Sequence, residues 1–116
     1  FIDDEDLPIL YKNAMLFVFP SVYEAFGIPL IEAMSQETLV IASDSSSLPE
    51  VAGEAAIFFK NNSVNSLENK IIEGLSLDSV EKENYKKKSL QQAHKYMWKT
   101  SADIYYNTIV KTVEGK

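Results

Sequence analysis

Cysteine is absent from the 116 residues, histidine occurs once, and glycine and proline occur four times each. Without cysteine there can be no disulfide, no thiolate metal site and no cysteine nucleophile. The one histidine, His94, stands in a polar stretch among Gln91, Gln92 and Lys95 and reads as a lone exposed side chain, with no Ser-His-Asp arrangement around it. Basic charge is also scarce. A balance of 11 basic against 17 acidic residues leaves a net charge of -6, which argues against the broad phosphate-neutralising surface of a nucleic-acid binder, although small local anion sites are compatible with it. Long apolar runs are missing too: none approaches the roughly 18 residues needed to span a bilayer. The opening FIDDEDLP is acidic where a signal peptide would be basic. A cytoplasm-facing chain is the expectation.

What is present is 46% hydrophobic, enough at this length for one core and one domain, and too short for two. Residues 1-116 are therefore read as a single unit. The chain begins at Phe1 rather than Met, and its first elements look like the middle of a fold, so a partial domain of a larger protein is expected.

Along the chain, Asp6 is placed to cap a short helix through Leu7, Leu10, Tyr11 and Ala14, with Pro8 tolerated in the first turn. The runs Leu16 to Phe19, Leu39 to Ala42 and Ala56 to Phe59 are apolar on consecutive residues, as strands buried on both faces are. Between them a helix is expected from Ile28 to Gln36, with Gly27 just ahead and Pro29 near its start. Ser47-Leu48-Pro49-Glu50 fits a capping box opening a short helix that Gly53 stops. After Asn61-Asn62-Ser63 the period becomes helical. Val64, Leu67, Ile71, Ile72 and Leu75 form one stripe, Val80 to Tyr96 a more polar helix, and Trp98, Ala102, Tyr105, Ile109 and Val113 the strongest stripe of all. Short apolar strands alternating with helices imply an α/β fold with a parallel sheet. Three strands make half of a doubly wound, Rossmann-like domain, which leaves the first strand with an edge for a further strand to cover.

The stretch YEAFGIPLIEAM, Tyr23 to Met34, leaves the end of the first strand and carries Glu24 and Glu32 with seven residues between them. Ligands of open parallel sheets sit beyond the carboxyl ends of the strands. Gly27 would let a ligand approach the backbone, and free N–H groups at the start of the following helix favour an anion such as phosphate. A carboxylate aimed at phosphate would be repelled, so the acids must serve neighbouring hydroxyls; a carboxylate such as Glu32 can accept two hydrogen bonds from a ribose or sugar diol. Ribose, diphosphate and sugar in a row describe a sugar nucleotide. The same spacing is also compatible with plain scaffold, since a glutamate early in a helix stabilises it whatever its function.

FVFPSVYEAFGIPLIEAM followed by LVIASDSSSLPEVAGEAAIFF resembles the C-terminal, donor-binding domain of the retaining glycosyltransferases of the GT-B fold, group 1 or family four type. The resemblance runs from Asp3 to about Val113. It implies transfer of a sugar from a nucleotide-sugar donor (UDP-, GDP- or ADP-linked) to a saccharide or lipid-linked acceptor with retention, the diphosphate leaving on the face where the acceptor hydroxyl arrives. It further implies that no metal or other cofactor is needed. By position, Glu24 would be the catalytic glutamate beside the donor sugar hydroxyls. Ala25, Phe26, Gly27 and Ile28 would be the donor-binding loop on sugar and diphosphate, and Glu32 the residue holding the ribose. The family's basic diphosphate clamp and its N-terminal domain lie outside this chain, so the 116 residues alone are expected to be inactive. The family often has Gly where Ala25 stands, and a Gly and a Pro where Glu37 and Leu39 stand.

Two other readings belong beside this one: a sugar-nucleotide epimerase of the same fold, and a non-catalytic flavodoxin-like or receiver-like module. A receiver would need a phosphoacceptor Asp, an acidic pair and a Lys at successive strand ends, and that set is not evident. Asp4-Glu5-Asp6 matches a metal-binding Asp-x-Asp pattern but precedes a helix, where acids favour the dipole. Lys86-Lys87-Lys88 could touch an anionic membrane surface, placing the protein peripherally on the inner face, but reads first as a solvated helix face. Trp98, Tyr105 and Tyr106 are read as packing the last helix rather than stacking on sugar. Asp44 and Ser45, at the end of the second strand, fall on the ligand side.

Overall fold

In the computed structural model, which describes residues 2–115, the three apolar runs form strands β1 (Phe17–Phe19), β2 (Val40–Ser43) and β3 (Ala56–Phe59). They pair in the order β1-β2-β3, all parallel, with Val18 opposite Ile41 and Ile41 opposite Ile57. The pleat sends alternate residues to opposite faces. Val40, Ala42 and Ala56 join Leu30, Ala33, Met34, Val51 and Ala93 in one core, while Leu39, Ile41, Ile57 and Phe59 meet Leu67 and Ile71 in a second. Both faces of the sheet are covered, hence the unbroken apolar runs. All three residues of β1 are only half-buried, which fits its place at the edge.

The helices are α1 (Leu7–Asn13), α2 (Ile28–Ser35), α3 (Leu48–Ala52), α4 (Val64–Ser76), α5 (Ser79–His94) and α6 (Trp98–Glu114), with a 3-10 turn at Gly53–Ala55. The first core lies under α1, α2, α3 and α5, and the second under α4. β1 is one residue shorter than the expected span and β2 is shifted by one, since Leu16 and Leu39 stay outside the ladder.

Three expectations are corrected. Asp6 occupies the N-cap position of α1 but its side chain makes no capping bond, because its backbone is already helical (φ -87, ψ -22); its carbonyl accepts from Ile9 and Leu10 instead. Ser47 likewise has helical backbone angles and does not cap α3, so no capping box forms there. The box stands at the start of α5, where Glu81 N–H donates to Asp78 Oδ1 at 2.8 Å and Asp78 N–H donates to Glu81 Oε2 at 3.0 Å. Finally, the stripe on α6 does not pack into the core: among the described residues none of this helix is buried, and Trp98, Tyr105, Ile109 and Val113 are exposed. Helical periodicity reveals an apolar side, not where its cover lies.

The turn after α2, where glycine and proline were the expected residues, closes without them. Thr38 N–H donates to Ala33 O and Glu37 N–H to Met34 O, each at 3.1 Å, a complete Schellman closure with Glu37 in the left-handed region (φ 61).

Candidate donor site

Between β1 and α2 the chain has no regular partner for its backbone, and side chains take up several of its carbonyls. Ser21 Oγ donates to Glu24 Oε1 at 2.9 Å and reaches Tyr23 O at 3.3 Å. The last residue of β2 and the loop after it supply the rest. Ser43 Oγ donates to Ser21 O at 2.5 Å, Ser45 Oγ to Val22 O, and Ser46 and Ser47 Oγ to Glu24 O at 2.6 and 2.9 Å. Asp44 Oδ1 accepts from Asn61 N–H at 2.7 Å, which ties the third strand's exit to the second's.

Ala25 and Phe26 are exposed at the bend, with the Phe26 ring edge-on to Tyr96 at 5.1 Å. Gly27 then enters α2 with φ 89, ψ 56. The backbone angle favours glycine, and a Cβ there would lie 2.7 Å from Leu48 Cδ2, so that any other residue would also have to displace this side chain. Ile28 opens the helix, exposed, and Pro29 follows where its missing N–H leaves no bond unmade.

Glu32 is half-buried one turn into α2, and Tyr11 Oη of α1 donates to its Oε2 at 3.3 Å. Burial, and then the Glu32 carboxylate through its charge and this bond, raise the tyrosine pKa above 10.0, so Tyr11 is a neutral donor at ordinary pH. The other carboxylate oxygen has no side-chain partner among the described residues.

Of the expected site residues, Phe26, Ile28 and Glu32 are brought together in the wall of a mainly apolar cavity of about 640 Å³. Its far side is α5 and the start of α6, including His94, Tyr96 and Trp98. Glu24, Ala25 and Gly27 do not line it. A smaller cavity of about 380 Å³ on the other side of Glu32 is lined by Asp4, Leu7 and Tyr11. Glu32 thus faces both.

Tyr11 and the serines were not foreseen as parts of the site, apart from Ser45. Tyr11 is 21 residues from its glutamate, and no local pattern relates them. The serine run carried a usable signal, because loops that leave adjacent parallel strands at the same end are neighbours. Among the described residues no group of three or more His, Cys, Asp or Glu side chains is arranged to hold a metal ion. Nor is any helix long and apolar enough to cross a membrane. Lys88 Nζ pairs with Glu54 Oε2 at 3.0 Å on an exposed face.

The fold and the loop place the chain among proteins built like the C-terminal half of a GT-B glycosyltransferase. Its backbone is similar to that of sucrose-phosphate synthase from Thermosynechococcus elongatus, with a TM-score of 0.88 and 28% identity, covering 99% of this chain and 29% of that one. The profile described as "Glycosyl transferases group 1" matches residues 1–94, and the chain belongs to that family.

Relatives in Escherichia coli include the O-antigen chain mannosyltransferase B, 42% identical over 98 residues, which are 84% of this chain and 26% of that protein. The serotype-specific mannosyltransferase WbdA is 35% identical over 104 residues, 90% of this chain and 13% of its own length. The chain therefore spans about a quarter or less of the length of these curated relatives.

Proposed function

We propose that this chain is the C-terminal half of the nucleotide-sugar-binding domain of a retaining glycosyltransferase, with Glu24 and Glu32 as its donor-binding acids. The arrangement of the β1–α2 connection carries the reading. It leaves the carboxyl end of a parallel strand, where α/β proteins bind ligands, and it holds one carboxylate on each flank of a bend that runs into a helix N-terminus. Both carboxylates keep acceptor capacity beyond their single tyrosine or serine donor.

In this reading Glu32 takes the ribose hydroxyls, and the backbone from Ala25 to Ile28 approaches diphosphate and sugar. Glu24 stands at the sugar hydroxyls as the catalytic residue. The diphosphate charge is met by backbone dipoles here and by basic side chains elsewhere in the full-length protein, so the chemistry is metal-free. The names of the relatives make mannose the first sugar to test, and a saccharide or lipid-linked saccharide the acceptor class. The open edge of β1 and the bare side of α6 support a further part of the same protein lying against this one.

Calorimetric titration of the full-length protein with UDP, GDP and ADP, repeated on Glu32→Ala, tests the reading. One nucleotide should bind, and the substitution should weaken it by about 1–3 kcal/mol through loss of a charged acceptor. Binding of none, or binding indifferent to Glu32, would return both glutamates to the scaffold.

A further inference from the structure

The carbonyls of Ser21, Val22 and Glu24 have no ladder or helix to join, yet each accepts a hydroxyl hydrogen bond, while Tyr23 O shares the one Ser21 proton with the nearer Glu24 carboxylate. Tyr23 O is reached by Ser21 within the loop, and Ser21, Val22 and Glu24 are reached from the run Ser43 to Ser47. Two donors converge on Glu24 O alone. Ser46 adopts the left-handed region (φ 56) to take part, a conformation that serine rarely adopts. A free surface loop would be satisfied by water at less strain. The Glu24 carboxylate is held as well, by Ser21 at 2.9 Å. Backbone and side chain of the same residue are therefore fixed by separate hydroxyls.

We infer that Ser21, Ser46 and Ser47 are positioning residues that aim the Glu24 carboxylate, and that they govern recognition of the transferred sugar rather than of the nucleotide. The inference rests on the donor-site reading of Glu24. The division of labour follows from the geometry: the serines grip Glu24 and its loop, whereas Glu32 is oriented separately by α2 and Tyr11. A carboxylate fixed at both ends loses little freedom when it accepts bonds from sugar hydroxyls, so its loosening should weaken only the contacts made by the sugar.

The test compares full-length wild type with Ser21→Ala, Ser47→Ala, the Ser46→Ala/Ser47→Ala pair and the conservative Ser47→Thr. Affinities are measured for UDP, GDP and ADP and for the mannose- and glucose-bearing forms of whichever nucleotide binds. Expected are nucleotide affinities within twofold of wild type, a five- to tenfold loss of the extra affinity contributed by the sugar, and recovery of most of it in Ser47→Thr. Turnover should fall with the sugar term where an acceptor is in hand. Equal weakening of nucleotide and sugar nucleotide would make the serines mere scaffold, and unchanged sugar affinity would remove their role; either overturns the inference. If wild type itself binds no nucleotide, the donor-site reading fails first and this inference falls with it.

Discussion

Tyr11 shows how a single side chain can join two elements and the site at once. Its ring is buried, edge-on to Phe17 at 5.2 Å, its carbonyl accepts from Thr38 Oγ1 at 2.7 Å, and its hydroxyl donates to Glu32. Removing only the hydroxyl, as Tyr11→Phe, should lower stability by about 0.5–1.5 kcal/mol, as the loss of one hydrogen bond does. Because the tyrosine pKa in the folded chain is raised above 10.0, mainly by burial, the stabilisation is complete below that pH and fades as the pH rises through the higher folded value. Denaturant melts of wild type and variant should differ by a constant amount from pH 7 to 9 and converge in more alkaline solution. A gap that stays unchanged in strongly alkaline solution would show that the protonated hydroxyl is not the source of the stabilisation. None of this could be read from the sequence, where Tyr11 looked like one apolar position of a short helix.

At the scale of elements, the strands were legible because a strand buried on both faces must be apolar throughout, and the start of α2 because a glycine and a proline stand at its first positions. What misled was local: Asp6 and Ser47 have the residue types of caps, but side-chain capping needs an extended backbone at that position, and both are helical. Ser47 instead spends its hydroxyl on Glu24, a contact that depends on two strands being paired. Glu37 illustrates the opposite case, a turn that forms despite the wrong residue. At φ 61 an L side chain is strained, so Glu37→Gly should stabilise the protein by about 0.5–1 kcal/mol, the glycine's added freedom in the unfolded chain offsetting part of the gain. Thermal melting should register this as a rise of a few degrees; no change would mean that Glu37 carries no strain.

For the whole molecule, the long dimension of 54 Å against 33 and 29 Å goes with a sixth helix that is not folded onto the core. Trp98, at 85% exposed, and Val113, at 81%, mark the two ends of its bare apolar side, and exposed apolar patches of this kind favour association. The 116 residues on their own should therefore run above the 13.1 kDa of one chain in light scattering. Replacing Tyr105, Ile109 and Val113 with serine should return them towards monomer; a wild-type monomer at high concentration would contradict this. The serine links across the site have a further consequence, for the order of events in folding. Each joins residues 22 or 23 apart in the chain, across a connection that includes all of α2. Such contacts form only after the ends of that loop have been brought together. The helices can begin from local contacts, but the bend around Glu24 takes its shape only once β1 lies beside β2. The part of the chain proposed to meet the ligand is thus ordered no earlier than the pairing of β1 with β2.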